Sequence, residues 1–344
     1  MLKTLIAAFF AALAATAVLA ADLSGAGATF PAPVYAKWAE TYRAQTGVGL
    51  NYQAIGSGGG VRQIKSKTVA FGASDKPLTP AELNASGLVQ FPTVVGGVAP
   101  VVNLPGLAAN KLRLSGAVLA DIYLGAIKRW GDPRISALNP GLKLPNLPIT
   151  VVHRADGSGT SFLFTSYLAL KNPTWAKQVG GADAVEWPTG IGGKGNDGVA
   201  AFVKQTPGAI GYVEYAFAKQ NKLPTVAMQN KTGAFVVPAA ANFSAAAASA
   251  DWAKAPGYYL LLLDQPGAAT WPITGATFVL MHKEQANGPQ GLAVLKFFDW
   301  AYKTGDAQAS QLDYVPLPAG VKAQVRKTWT SAIKSGGKSL YAGG

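Results

Sequence analysis

The sequence predicts an α/β protein of two lobes, with mixed, mostly parallel sheets flanked by helices and a two-strand hinge between the lobes. Three observations carry this expectation. Short apolar, β-rich runs alternate with amphipathic helical patterns, and 40 Gly and 22 Pro punctuate them, as in layered α/β folds. The chain of 344 residues holds no cysteine, so a core large enough for two domains must replace disulfide support. Two apolar segments, Pro92 to Leu104 and Ala276 to His282, lie far apart in sequence, as strands crossing between lobes would. No repeat of the kind that builds a solenoid is visible.

Taken in order, Lys3 followed by an apolar run from Leu5 to Leu19 and small residues at Ala20 and Ala21 reads as a cleaved signal peptide over residues 1–21. The run falls short of the ~20 residues of a spanning helix, and no Cys follows it for lipid attachment. Val34, Tyr35, Trp38 and Tyr42 recur at helical spacing, which predicts a helix from Pro31 to Ala44. Further helices are expected over Ser57 to Lys65, Pro80 to Ala85, Ala117 to Arg129, Ser161 to Leu170, Asp197 to Gln205, Gly291 to Tyr302 and Val321 to Lys334. Strands are expected over Val69 to Ala73, Ile149 to His153 and Ala209 to Tyr215, and the Ala-rich stretch from Ala239 to Ala255 reads as weakly helical. The two crossing segments divide the chain into a discontinuous lobe, 22–95 with 276–344, and a second lobe, 96–275.

Lys and Arg number 30 against 17 Asp and Glu, a formal charge of +13, which favours an anionic partner. The cations are scattered and no aromatic-interleaved basic motif occurs, so nucleic acid is not the expected target. With two His and no Cys, neither a metal site nor another cofactor is expected.

Three segments place a hydroxyl residue at the start of a predicted helix: Thr29-Phe30 after Gly25 to Ala28, Ser57 in Gly56 to Gly60, and Ser158-Gly159-Thr160 after Asp156 and Gly157. Backbone N–H groups at a helix start lack partners and carry partial positive charge, so they bind anions without a cationic side chain. Each segment taken singly also fits an ordinary cap in a Gly-rich turn. Arg154, at the end of a predicted strand, offers a fork to an oxyanion with Asp156 near enough to orient it, or else forms an exposed pair with it. Asp75 is either a turn residue or an acceptor for a proton that the anion carries. Hydrogen phosphate has such a proton and sulfate does not, and a site built on a ligand's donor rejects an analogue lacking it.

The stretches GAGATFPAPVYAKW, GSGGGV, FGASD, DIYLGAIKRW, RADGSGTSF, GGKGNDGVAAFV and GAIGYVEYA, in this order, closely resemble the periplasmic phosphate-binding proteins, solute receptors of high-affinity (Pst-type) phosphate ABC transporters. The resemblance runs through nearly all of the chain after residue 21. It implies a type II periplasmic binding fold and a monomeric, non-enzymatic receptor. Such a receptor is periplasmic, closes on inorganic phosphate and meets the membrane only through the transporter's permease subunits. Carried over residue by residue, it implies phosphate contacts from Thr29, Phe30, Ser57, Asp75, Arg154, Ser158, Gly159 and Thr160, with Asp156 behind Arg154. Departures are Gly58 to Gly60 after Ser57, where a second Ser is common, and a poor match over Gln229 to Leu263.

Three other readings compete. A hydrolase would need Ser158 in a nucleophile elbow, but Asp156 stands where its first glycine belongs and neither His153 nor His282 is well placed as a base. A nucleotide binder is suggested by Gly190 to Gly195, which fits Gly-x-Gly-x-x-Gly, yet Pro188 spoils the preceding strand and a tight inter-lobe turn explains the glycines. A receptor of the same fold for sulfate or molybdate is the third, and Asp75 argues against it.

Overall fold

The computed structural model describes residues 22–343; the signal peptide expected over 1–21 lies outside them. The chain runs through β1 (Leu23–Gly27), α1 (Ala32–Thr46), β2 (Leu50–Ala54), α2 (Ser57–Lys65), β3 (Phe71–Ser74) and α3 (Pro80–Ala85) into β4 (Leu88–Val102). β1 pairs in parallel with β2 and with β3, which requires crossover connections, here α1 and α2. Then follow β5 (Arg113–Leu114), α4 (Gly116–Tyr123), α5 (Pro133–Leu138), β6 (Thr150–Arg154), α6 (Gly159–Lys171), α7 (Pro173–Gln178), β7 (Ile191–Gly193), α8 (Gly195–Gln205), β8 (Ala209–Glu214) and α9 (Tyr215–Gln220). β6 pairs in parallel with β7 and β8. After β9 (Ala227–Gln229), β10 (Phe235–Val236) and α10 (Ala240–Ala247), two short 3-10 turns lead to β11 (Thr274–His282) and α11 (Gly288–Thr304). The chain ends through α12 (Asp306–Gln311), β12 (Val315–Pro316), α13 (Ala319–Ala332), β13 (Lys334–Ser335) and β14 (Lys338–Ser339).

The main sheet has the order β2-β1-β3-β11-β4-β8-β6-β7, with β12 also on β4. Its two wings are parallel, and its centre, where β11 and β4 lie, is antiparallel. All 15 residues of β4 are buried, as a strand covered on both faces must be. Leu88 to Gly97 pair with β11, and Val98 to Val102 pair with β8. The strand therefore changes partner between Gly97 and Val98, and β4 and β11 are the two strands that join the wings. Bare backbone is needed at this switch. A Cβ on Gly96 would stand 2.9 Å from the Phe30 ring, and one on Gly97 would stand 2.1 Å from the Phe243 ring.

Four expectations shift. The crossing strand begins at Leu88 rather than Pro92, because Pro92 is absorbed at an irregularity in the ladder opposite Thr277 and Phe278; a residue without an N–H fits there and not in regular pairing. The helix expected to reach Arg129 stops at Tyr123. Gly125 takes a left-handed φ of 73°, and the N–H groups of Ala126 and Ile127 both turn back to the Asp121 carbonyl. The Ala-rich stretch is α-helical only over Ala240–Ala247, with a 3-10 turn at Trp252–Lys254. Beyond it the segment around Gly257 packs on the β1–β3 wing, where Gln90 Nε2 donates to the Gly257 carbonyl at 2.7 Å. Finally, the glycines from 190 to 195 form edge strand β7 and the first turn of α8, within one wing, instead of a turn between lobes.

Candidate functional site

Three helices, α1, α2 and α6, begin where strands β1, β2 and β6 end, the crevice position at which open α/β sheets hold ligands. Close backbone approach makes this possible. A Cβ on Gly60 of α2 would lie 2.4 Å from Gly27 Cα and 2.5 Å from the Ala26 carbonyl, so only a glycine lets α2 lie against β1. The N–H groups of Ile55 and Gly56 both donate to the Gly27 carbonyl at 2.9 Å, which fixes the entry to α2.

All eight residues singled out in the sequence as anion contacts are buried, with Thr29, Phe30, Ser57, Asp75, Arg154, Ser158 and Thr160 each at most 3% exposed. They also belong to one connected cluster. Ser57 Oγ accepts from the N–H of Asp75 at 3.2 Å and from the N–H of Gly159 at 3.0 Å, so one hydroxyl ties together β3, α2 and α6. Its own proton has only Asp75 Oδ2, at 3.5 Å, a distance at which a hydrogen bond is weak. The N–H of Gly58 donates to the Gly157 carbonyl at 2.9 Å. Ser158 Oγ caps α6 through the N–H of Ser161 at 3.0 Å, which is the ordinary cap function. Thr29 Oγ1 accepts from Asn196 Nδ2 at 2.8 Å and from the Asn196 N–H at 3.2 Å, and Asn196 Nδ2 also reaches Thr160 Oγ1 at 3.3 Å.

The Arg154 fork expected to face an anion is largely taken by Asp156. Nε and Nη2 donate to its two oxygens at 2.7 and 2.6 Å, and Asp156 Oδ1 also receives the N–H of Gly195 at 3.1 Å. Nη1 of Arg154 is buried and has no partner. A buried guanidinium nitrogen left unpaired is costly, so this atom marks where an acceptor belongs.

The charges nearly cancel inside the cluster. Burial works against the charge of Asp156, but the hydrogen bonds and positive charge of Arg154 outweigh it and hold this carboxyl below its ordinary value. Asp75 is the opposite case. Burial raises it from 3.8 to about 7, against hydrogen bonds from Thr277 and Ser57 and the charge of Arg154; Thr277 Oγ1 donates to Oδ1 at 2.7 Å. Arg154 is balanced by Asp156, which leaves its Nη1 and the partial positive charge at the starts of α2 and α6 as the electropositive groups of the cluster.

The residues the sequence reading missed are Asn196 and Thr277. Asn196 lies within GGKGNDGVAAFV, where the surrounding glycines carry the only local signal, and Thr277 sits in an apolar strand with no local sign of a polar role. The competing nucleophile arrangement does not form: Ser158 Oγ serves the helix cap, and His153 stacks on Trp187 with ring centres 4.6 Å apart, its Nδ1 3.0 Å from the Arg154 carbonyl. Burial lowers the His153 pKa. Among the described residues no group of three or more His, Cys, Asp or Glu is placed to hold a metal, and no helix is long and apolar enough to cross a membrane.

A profile of the PBP superfamily domain matches residues 14–303. The phosphate-binding protein PstS of Pasteurella multocida is 51% identical over 338 residues, covering 98% of this chain and 98% of its own. The phosphate-binding protein PstS of Haemophilus influenzae is 51% identical over 313 residues, covering 91% and 94%. A solved DING protein is 25% identical, with a TM-score of 0.73 over 93% of this chain and 98% of that one. The same fold is found in a high-affinity periplasmic phosphate-binding protein solved with phosphate bound, at 24% identity and a TM-score of 0.72 over 94% and 96%.

Proposed function

The chain belongs to the PBP superfamily and, within it, to the PstS phosphate-binding proteins, and from that premise we propose that it binds one inorganic phosphate ion between its lobes and delivers it to a phosphate ABC transporter. The observation that carries the site is the unpartnered, buried Nη1 of Arg154, a residue whose partner Asp156 lies against Gly56 at the start of α2, with Asp75 the acceptor among the eight expected contacts. Thr29, Phe30, Ser57, Ser158, Gly159 and Thr160 donate to the phosphate oxygens, Arg154 gives a charged donor, and Asp75 accepts the phosphate proton. No covalent step is involved.

The lobes on this reading are 22–95 with 276–344, and 96–275. The partner change on β4 at Gly97 and Val98 supports the boundary near 95, while the segment around Gly257, tied to Gln90 and through Tyr258 to Thr328, leans on the first lobe. Contacts from both sides of the cleft favour the closed arrangement when phosphate bridges them. Lys76 pairs with Asp183 at 2.7 Å and Lys219 with Asp313 at 2.6 Å, so ion pairs join the wings at two further points. Residues 1–21 direct export and are removed, the receptor works as a periplasmic monomer, and closure presents the surface that permease subunits read.

Calorimetry of the purified protein with phosphate, sulfate and molybdate tests the binding half. Tight phosphate binding with no measurable sulfate competition is expected, and equal affinities would overturn the assignment. Restoration of phosphate uptake in cells lacking their own receptor tests delivery.

A further inference from the structure

Glu214 closes β8 and is completely buried, and the phosphate reading makes no use of it. Its Oε2 accepts the N–H of Ala216 at 2.9 Å and lies 2.9 Å from the hydroxyl oxygen of Tyr314, while Oε1 is buried without a partner. That same hydroxyl oxygen lies 2.6 Å from the carbonyl oxygen of Phe30. A phenol has one proton, and a carbonyl has none to give. If Tyr314 donates to Phe30, its contact with Glu214 joins two oxygens with no proton between them unless the carboxyl carries one. If Tyr314 donates to Glu214 instead, the same deficit falls on the shorter contact to Phe30. Two full hydrogen bonds among the three oxygens need two protons, and a protonated Glu214 supplies the second, whereas one hydroxyl proton shared between both acceptors would leave each contact weak.

We infer that Glu214 is a neutral carboxylic acid in the folded protein, and that its proton completes a chain of hydrogen bonds from Glu214 to Tyr314 to the Phe30 carbonyl that positions the Thr29-Phe30 loop. The positioning half rests on the phosphate reading; the protonation state does not. Surroundings agree with it. Burial pushes the Glu214 carboxyl well above its ordinary value; the Ala216 N–H and the Tyr314 hydroxyl oppose this, and the negative charges of Asp75 and Asp313 add to it. Asp313 is itself held by Lys219 of α9, and the Tyr215 hydroxyl, next in sequence, is raised by its own burial. The backbone of the same residue serves the same loop. The Glu214 N–H donates to Asn196 Oδ1 at 3.0 Å, and Asn196 Nδ2 donates to Thr29 Oγ1 at 2.8 Å. Glu214 thus reaches Phe30 through its carboxyl and Thr29 through its N–H, which makes it a positioning residue that touches neither the anion nor its donors directly.

Infrared spectra decide the protonation. In an Asp75→Asn protein, which removes the other raised carboxyl, a protonated-acid C=O band should be present at pH 8 and should vanish when Glu214→Gln is added. No band in Asp75→Asn, or a band that survives Glu214→Gln, overturns the inference. Should the glutamine protein fail to fold, Tyr314→Phe in the Asp75→Asn background must shift the band as the acid loses its acceptor, and an unshifted band overturns it too. Phosphate titrations decide the positioning. Glu214→Gln, whose amide can donate to Tyr314 only from the position that accepts the Ala216 N–H, should lose clearly less affinity than Tyr314→Phe, about threefold against about tenfold. An equal loss in both overturns it. Wild-type protein that ignores phosphate would sink the functional reading and leave the infrared result to decide Glu214 alone.

Discussion

Replacing Asp75 by Asn removes a carboxyl whose ionisation the fold opposes, and the size of the effect follows from its surroundings. Asp75 is 1% exposed and is raised from 3.8 to about 7, chiefly by burial. At 1.36 kcal/mol per factor of ten in acidity, that gap corresponds to about 4 kcal/mol. The direction is fixed by which state ionises first. Below pH 3.8 the group is protonated in both folded and unfolded chains, and its contribution is intact. As pH rises from there to about 7 the unfolded chain ionises while the folded one does not, so stability is lost across that window and levels off above it. Asn cannot ionise, so ligand-free Asp75→Asn should gain on the wild type by up to about 4 kcal/mol between pH 4 and pH 8. Urea denaturation of both proteins at several pH values, without phosphate, measures this. Taking the difference between the two cancels the other buried acids to first order. A difference that stays flat from pH 4 to pH 8 would refute the reasoning, because it would mean that Asp75 ionises as freely when folded as when unfolded. The same pair of proteins tests selectivity. The substitution should leave phosphate weakened and sulfate improved, since the amide removes like-charge repulsion and adds a donor; unchanged rejection of sulfate would show that Asp75 is not the discriminating group.

Arg154→Lys keeps the charge and loses the paired contact with Asp156, so phosphate affinity should fall about 10- to 100-fold, as for a lost charged hydrogen bond of ~1.5–3 kcal/mol; calorimetry returning wild-type affinity would contradict this. Gly159→Ala places a Cβ 2.6 Å from both Asp75 Cβ and Ser57 Oγ, so binding should weaken by about 1–3 kcal/mol with an unaltered far-ultraviolet circular dichroism spectrum. Gly60→Ala puts its Cβ 2.5 Å from a backbone carbonyl within one wing. It should therefore lower the urea midpoint even without phosphate, by about 1–3 kcal/mol in stability.

The sequence was most legible where a local rule decides conformation. α2 covers Ser57–Lys65 as expected, and α1 begins one residue after Pro31, because glycines, hydroxyls and Pro act within a few residues of themselves. The residues that gather at the crevice were readable for the same reason: apart from Phe30, each is a hydroxyl, a charge or a glycine near an element end. What was not readable depends on residues brought together from afar. Asn196 meets Thr29 across 167 positions and Thr277 meets Asp75 across 202, and neither carries a local sign. How Arg154 divides its donors was not readable, because a guanidinium two residues from a carboxylate has two ways to spend them, and only the fold shows that Asp156 takes two nitrogens and leaves Nη1. The start of β4 was missed because Pro92 looks like a boundary until the irregularity facing it on β11 is seen.

The two bare residues at the partner switch of β4 act as a bearing. The Phe30 ring presses on Gly96 and the Phe243 ring on Gly97, so adjacent residues of one strand form the seats for two aromatic rings. On the proposed reading Phe30 also belongs to the loop that grips the anion, so the ring seated on Gly96 stands at both the partner switch and the grip. The pivot and the grip therefore share a part, and wear at one, such as a methyl group added at Gly96, would be felt at the other.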